Sequence, residues 1–368
     1  MVSARLGLRT VVIEAEIEAR WKAGEVLPPE CNPILKHLGL WSLLRARPDL
    51  ATPSAGVRSR WGSDDISFRD GFCESLGTGW IIDRQAFETF LSEQALAAGA
   101  DWLWGAHVRS ANRQDSLWHL SLRISAELLL RARFLIDATG RRASLARRLG
   151  ARRVRYQPQI GTVSRWRGSS PTQAPWLNIE SVPDGWWYAV STPGGLHILA
   201  WLGDHTASGP AQLGIRGAFG ATRFLQSVFP EPPPSEHLRS AVLNAESTAL
   251  DRCAGPGWLA IGDAAMAFDP IAAQGFSNAF ASANAAVSAA HDYLQGRPEA
   301  ADAYAADMST TYAFYVNGVK QHYRSEQRWL DHPYWRARHA MKAATTAMRL
   351  HPAPGHGTGH GTGHGGRR

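Results

Sequence analysis

The sequence predicts an α/β fold: a three-layer, Rossmann-like domain interrupted by an inserted β-sheet domain and followed by a helical extension at the C-terminus. Three observations carry that expectation. Short apolar runs rich in branched residues recur at positions 9–14, 132–136 and 258–263, and each closes on a carboxylate or on glycine, as suits a buried parallel strand. Residues 156–202 change to strands rich in Trp and Gly, which marks a separate sheet layer. Residues 275–294 and 300–349 carry a helical pattern. The chain has 368 residues, 44% hydrophobic and 19% charged, enough for one large core or two interleaved ones.

Taken in order, the first strand at 9–14 ends on Glu14. A short helix is read at 33–38. Residues 80–82 (Trp, Ile, Ile) lead into an amphipathic helix with Phe87, Phe90, Leu91, Ala95 and Ala98 on one face. Residues 102–124 read as strands, as do 132–136, which are closed by Asp137, Ala138, Thr139 and Gly140. Proline-rich residues 230–234 form a linker-like loop, after which 258–263 (WLAIGD) make a buried strand followed by a long core helix. The implied organisation places the first part of the three-layer domain at 1–155, with an excursion at 45–80 toward the substrate domain. The inserted sheet follows at 156–245, the return to the first domain at 246–298 and the helical extension at 299–349. Residues 350–368 form a Gly/His tail, which from Gly355 to Arg368 has no apolar residue to bury and is expected to be disordered.

Composition narrows the partners. Net charge is +7, but the arginines are scattered, with clusters only at 131/133, 141–142, 147–148 and 152–153. That balance suits an anionic dinucleotide or an acidic partner; no basic helix or stacking motif points to nucleic acid. The three cysteines, Cys31, Cys73 and Cys253, form no CxxC pair, and nothing before Leu8 resembles a signal segment, so a cytoplasmic location is expected. The weakly polar stretch 275–294 is broken by Ser277, Asn278, Asn284, His291 and Asp292, which argues against a membrane span. His197, His205 and His322 lack ligand spacing, and His356, His360 and His364 of the tail would chelate a metal only loosely, so no metal site is assigned. A formal GxGxxG at 361–366 has no strand before it and no helix after it.

Three strand ends fall in the order a dinucleotide-binding fold requires. Glu14 is placed to accept hydrogen bonds from an adenosine ribose, Gly140 lets the chain approach a cofactor closely, and Gly262 and Asp263 end the last strand. Asp263 is suited to bond a ribityl hydroxyl, with the following helix directing its N-terminal amides at a flavin ring. Residues 260–276 (AIGDAAMAFDPIAAQGF) resemble the GDAA-x5-P-x3-G motif of FAD-dependent monooxygenases of the p-hydroxybenzoate hydroxylase superfamily. Residues 21–25 (WKAGE), 185–188 (GWWY) and 323–338 resemble the branch that holds tryptophan-halogenase-like enzymes and the flavoproteins that mature quinone cofactors. The resemblance runs from Leu8 to about Arg349.

What the resemblance implies is an FAD-binding three-layer domain. FAD would meet Asp137, Gly140, Gly262 and Asp263, with its ring near Pro270, Gln274, Gly275 and Phe276. Glu25 stands where the branch has its Gly-Glu pair, Val108 where a strand backbone meets the adenine, and Arg84 at a helix start near the expected FAD edge. Each of the last three also has a plain structural reading, as a turn, a core valine and a solvated arginine. The superfamily's strand-GxGxxG-helix would lie before residue 1, with residues 4–8 as the end of its helix. Its absence reads as a start set too far downstream or as a degraded paralogue, and a chain without it is expected to purify poorly and flavin-free. The branch's halogenating members use a lysine and a glutamate; here the glutamate position is Ala272, residues 57–68 contain no lysine, and the WxWxIP signature appears as WWYAVS at 186–191. Halogenation is therefore not expected. The implied reaction is hydroxylation of an aromatic small molecule or a peptide- or protein-bound substrate through a flavin C4a-hydroperoxide, with NAD(P)H or a flavin reductase as electron donor. A flavin-dependent dehydrogenase or reductase on the same fold and a flavin-free binding protein are the rival readings.

Overall fold

The computed structural model describes residues 1–71, 75–168, 175–204, 210–229 and 239–341. Cys73, His205, the proline-rich linker 230–234, the end of the helical extension and the tail 350–368 lie outside the described residues.

The strand Val11–Ile13 pairs in parallel with Asp101–Leu103, Val11 facing Asp101. A second parallel pair joins Leu135–Asp137 to Trp258–Ala260, with Asp137 opposite Ala260. The amide of Ile261 continues this ladder onto the carbonyl of Asp137 at 3.0 Å, so the two strand ends singled out in the sequence lie side by side. Between Leu103 and Leu135 the chain makes an antiparallel meander of His107–Gln114, Leu117–Arg123 and Glu127–Ala132. The run read as one strand at 132–136 is thus split: Ala132 ends the meander and Leu135 begins the parallel pair. One apolar run can serve two sheets because strand identity is set by pairing rather than by composition.

The inserted domain is a seven-stranded sheet in the order Arg239–Asn244, Ile160–Arg167, Leu196–Gly203, Gly185–Ser191, Trp176–Val182, Gly56–Arg60 and Ser67–Asp70. Five of these strands are antiparallel to their neighbours throughout, and Gly56–Arg60 joins Trp176–Val182 in parallel. Gly185 explains the GWWY segment locally: its φ is +154°, and a Cβ there would stand 2.1 Å from the carbonyl oxygen of Leu202. Trp186 and Trp187, 1% exposed each, then enter opposite faces of the sheet and anchor two different core clusters.

Helices cover these sheets. Arg84–Ala97 begins on Asp83, whose carboxylate accepts from the amide of Ala86 at 3.0 Å, and buries Phe87, Phe90 and Ala95. Gly275–Leu294 has the span expected of the core helix, and its small residues let it ride close to the strand turn below: a Cβ on Gly262 would lie 3.4 Å from the Cβ of Ala279. Glu299–Arg324 buries Tyr304, Met308, Tyr312, Tyr315, Val319 and Tyr323 at helical spacing, and Pro333–His339 adds Tyr334 and Trp335. The aromatics of the extension are therefore mostly core, as expected; Phe314 is the exception at 79% exposed. Cys31 and Cys253 are buried free thiols, both pushed up to about 12 by burial. Among the described residues no helix is long and apolar enough to cross a membrane, and no cluster of His, Cys, Asp and Glu is suited to a metal.

Candidate functional site

The parallel pair Leu135–Asp137 and Trp258–Ala260 opens onto two turns. In the first, Asp137 is 1% exposed and its carboxylate is spent locally: one oxygen accepts from the amide and hydroxyl of Thr139 at 2.9 and 2.7 Å, the other from the amide of Ala146 at 2.7 Å. Asp137 therefore shapes the turn with three of its acceptor positions. Gly140 follows with φ +63° and nothing within 4 Å of where a Cβ would sit.

In the second turn, Gly262 has φ +50°, but its amide donates to Ser282 Oγ at 2.8 Å, so it serves helix packing. The turn Gly262–Ala265 is a separate single helical turn, and the long helix starts only at Gly275. The long helix thus begins where the sequence pattern placed it. Asp263 itself faces outward, its side chain 38% exposed and 3.6 Å from the guanidinium of Arg141. Burial pushes its carboxyl up against the pull of Arg141, Arg84 and Arg153. Arg141 is fixed by bonds to the carbonyls of Glu246 and Phe268 at 2.6 and 2.7 Å.

Arg84 joins this cluster. Its guanidinium lies over the ring of Phe276 at 4.2 Å and pairs with Glu88 at 2.7 Å, which also holds Lys22 at 2.8 Å. Beside Arg84, Glu25 is 2% exposed, and its Oε1 has no hydrogen-bond partner. Burial pushes this carboxyl up to about 7, opposed by the Gly24 amide, Arg84 and the Tyr188 hydroxyl. The fold thus brings Glu25, Arg84, Asp263 and Phe276 together from separate segments.

Glu14 and Val108 stand apart at the other sheet edge. The Glu14 carbonyl accepts from Ala106 at 2.8 Å, which places the two near each other. The Glu14 carboxylate accepts only from the amide of Glu16 at 3.0 Å, whereas the Val108 carbonyl is already taken by Arg148 at 2.7 Å.

Pro270, Gln274 and Gly275 belong to a loop that walls a cavity of about 410 Å³. Its other walls are Val57, Ser59 and Phe68 of the inserted sheet, Trp61 just past the strand Gly56–Arg60, and Phe314, Tyr315, Val319 and His322 of the helix Glu299–Arg324. Ala272 lines it; among the described residues no lysine and no carboxylate does. The loop is held from beneath by Asp269, a residue the sequence reading quoted without assigning it a role. Its carboxylate, 5% exposed overall, accepts from Ile271 N at 3.0 Å, Gln159 Nε2 at 3.1 Å and the Tyr323 hydroxyl at 2.8 Å. Gln159 Oε1 in turn accepts from Tyr334 and Arg338, both at 2.9 Å. Only the aspartate beside a proline in the motif could have flagged this network.

The residues present fit FAD. Glu25 presents a buried, unpartnered oxygen, Gly140 and Gly275 leave open space where a Cβ would stand, and Asp263 offers a carboxylate flanked by arginine. Glu25, Arg84, Asp263 and Phe276, with the Gly140 turn and the loop at 270–275, would hold it.

Sheet, helices and loop together are the fold of FAD-dependent monooxygenases and halogenases. No family model matches the chain. The chain is 24% identical over 297 residues to the putative FAD-dependent oxidoreductase LodB of Marinomonas mediterranea, covering 79% of this chain and 80% of that one. It is also 24% identical over 321 residues to the 1H-pyrrole-2-carbonyl-[peptidyl-carrier protein] chlorinase of Pseudomonas fluorescens, covering 77% and 70%. Among solved structures, the peptidyl tryptophan dihydroxylase QhpG superposes with a TM-score of 0.76 at 23% identity, over 95% of this chain and 78% of that one. The flavin-dependent halogenase CmlS superposes with a TM-score of 0.78 at 20% identity, over 93% and 65%. The resemblance drawn from the motifs and the fold class are both upheld by these comparisons.

Proposed function

We propose that the chain is an FAD-dependent monooxygenase that hydroxylates an aromatic ring, free or carried on a peptide or protein. The observation that carries this is the cavity: its floor is the loop of the flavin-side motif, its walls are Trp61, Phe68 and Phe314, and among the described residues neither lysine nor carboxylate lines it. An aromatic-walled space of this size admits a planar ring. The lack of a lysine and a glutamate in that wall favours oxygen transfer to the ring over halogenation. The similarity to a peptidyl tryptophan dihydroxylase supports a protein-bound ring as substrate. Bound FAD, once reduced by NAD(P)H or a partner reductase, supplies the electrons that activate dioxygen.

In this reading Asp263 accepts a hydrogen bond from a hydroxyl of the cofactor, and Arg84 and Arg141 offset its phosphate charge. Asp269 and Tyr315 keep the loop at 270–275 in place. The test is to supply the FAD-loaded chain with NAD(P)H, oxygen and indole, N-acetyltryptophanamide or a tryptophan-containing peptide. Mass spectrometry should find products heavier by one oxygen atom. Substrate desaturation without oxygen incorporation would select the dehydrogenase alternative, and a chain that takes up no FAD would select the flavin-free one.

A further inference from the structure

Hydroxylating a ring C–H leaves the ring carbon with a proton to lose. One atom of dioxygen forms the C–O bond, and the other becomes water with two electrons from the nicotinamide donor and protons. The C–H electron pair returns to the ring as H⁺ departs. A wall side chain that can receive that proton and reach solvent would assist its loss.

Among the described residues the cavity wall holds three titratable side chains, Arg69, Tyr315 and His322. Arg69 is a permanent cation. The Tyr315 hydroxyl is occupied by Ser247 at 2.5 Å and by the amide of Asp269 at 2.6 Å, and burial raises it well above its ordinary value. His322 remains. Its ring lies against Trp61 with centroids 4.6 Å apart at 34°, and the Trp61 Nε1–H donates to the His322 carbonyl at 3.2 Å, which holds that contact. The imidazole has no hydrogen-bond partner among the described residues, and the residue is solvent-exposed at the cavity mouth.

We infer that His322 is the proton acceptor of this cavity, taking the proton from the hydroxylated ring carbon and passing it to solvent at the mouth. This rests on the hydroxylase reading above. The packing that presses the ring against Trp61 lowers its proton affinity, so the imidazole is neutral and able to accept at neutral pH. The charged groups on the elements around it are Arg60 and Asp64 on the strand side, Glu326 and Arg328 in the following turn, and Lys320 and Arg324 on its own helix. Of these, Arg60 with Asp64, Arg328 with Asp64 and Arg328 with Glu326 pair among themselves.

The test compares wild type with His322→Gln and His322→Ala, all FAD-loaded, on N-acetyltryptophanamide. Expected are a fall in kcat for hydroxylated product of about 10²- to 10⁴-fold, unchanged flavin content and KM, loss of the acid limb of the pH–rate profile, and recovery of His322→Ala by added imidazole. A His322→Gln enzyme that keeps its rate and its acid limb overturns the inference while leaving hydroxylation standing. A second readout needs no turnover: indole added to the flavin-free chain should shift the ¹⁵N imidazole resonances of His322, and unchanged resonances at saturating indole overturn its placement beside the ring. A wild-type enzyme that yields no hydroxylated product overturns the hydroxylase reading, and this inference with it.

Discussion

The amide of Asp269 donates to the hydroxyl of Tyr315 at 2.6 Å, and Tyr315 is itself a wall of the cavity, so one phenol both holds the loop at 270–275 and faces the space beside it. Its ring also stacks on Phe268 at 3.9 Å and 8°. Tyr315→Phe keeps the stack and leaves the buried Asp269 amide and Ser247 hydroxyl without this partner. A loss of about 1–3 kcal/mol is expected, read from urea unfolding of the flavin-free chain. A variant as stable as wild type would show that water replaces the phenol there.

Asp263→Ala should weaken flavin retention. A charge-assisted hydrogen bond to a hydroxyl contributes about 1.5–3 kcal/mol, equivalent to roughly 10- to 150-fold in affinity. The measurement is flavin absorbance per chain after gel filtration. Unchanged occupancy and spectrum would remove Asp263 from the cofactor site.

Glu25 sets a pH dependence of stability. Its folded value is about 7 against an ordinary 4.5, because burial disfavours the charge. Between those values the folded chain holds a proton that the unfolded chain releases, so stability falls as pH rises through this window and levels off above it. The full drop is of order 3 kcal/mol. Glu25→Gln should flatten the slope and be the more stable form at pH 8 in urea melts of the flavin-free chain. Parallel pH profiles for the two would contradict the assignment.

Gly185→Ala should fail to fold normally. The new Cβ would meet the Leu202 carbonyl at 2.1 Å at φ +154°, and neither backbone can yield without breaking the pairing of two central strands. Loss of the soluble folded form, or a melting temperature many degrees lower, is the expected result; a wild-type melt would show that the turn relaxes freely.

Supplying chloride or bromide to the reduced, FAD-loaded chain should produce no halogenated product, because Ala272 and a lysine-free wall offer nothing to position a hypohalous acid. Halide-dependent product in the mass spectrum would reverse this.

Part of the site was legible because its signals are local. Residues 260–276 carry strand end, turn, proline and helix start in one stretch, and Asp83 beside Arg84 caps a helix whose apolar period is plain. Asp137 was less legible for an equally local reason: a strand-ending carboxylate looks the same whether it faces a ligand or its own turn, and only the tertiary structure shows its bonds to Thr139 and Ala146.

By itself, then, the sequence determined the α/β class, the parallel strands ending near Gly140 and Gly262, and the helix Gly275–Leu294, since each follows from short-range periodicity and capping. The tertiary structure decided which aromatics wall a cavity and which fill the core. It also decided the register in which Gly56–Arg60 joins the inserted sheet, that Glu25 lies buried beside Arg84 with its Oε1 unpartnered, and that Asp269 meets Gln159, Tyr315 and Tyr323. Those contacts join residues 46 to 120 positions apart, and no periodicity of 2 or 3.6 residues encodes which distant segments will meet.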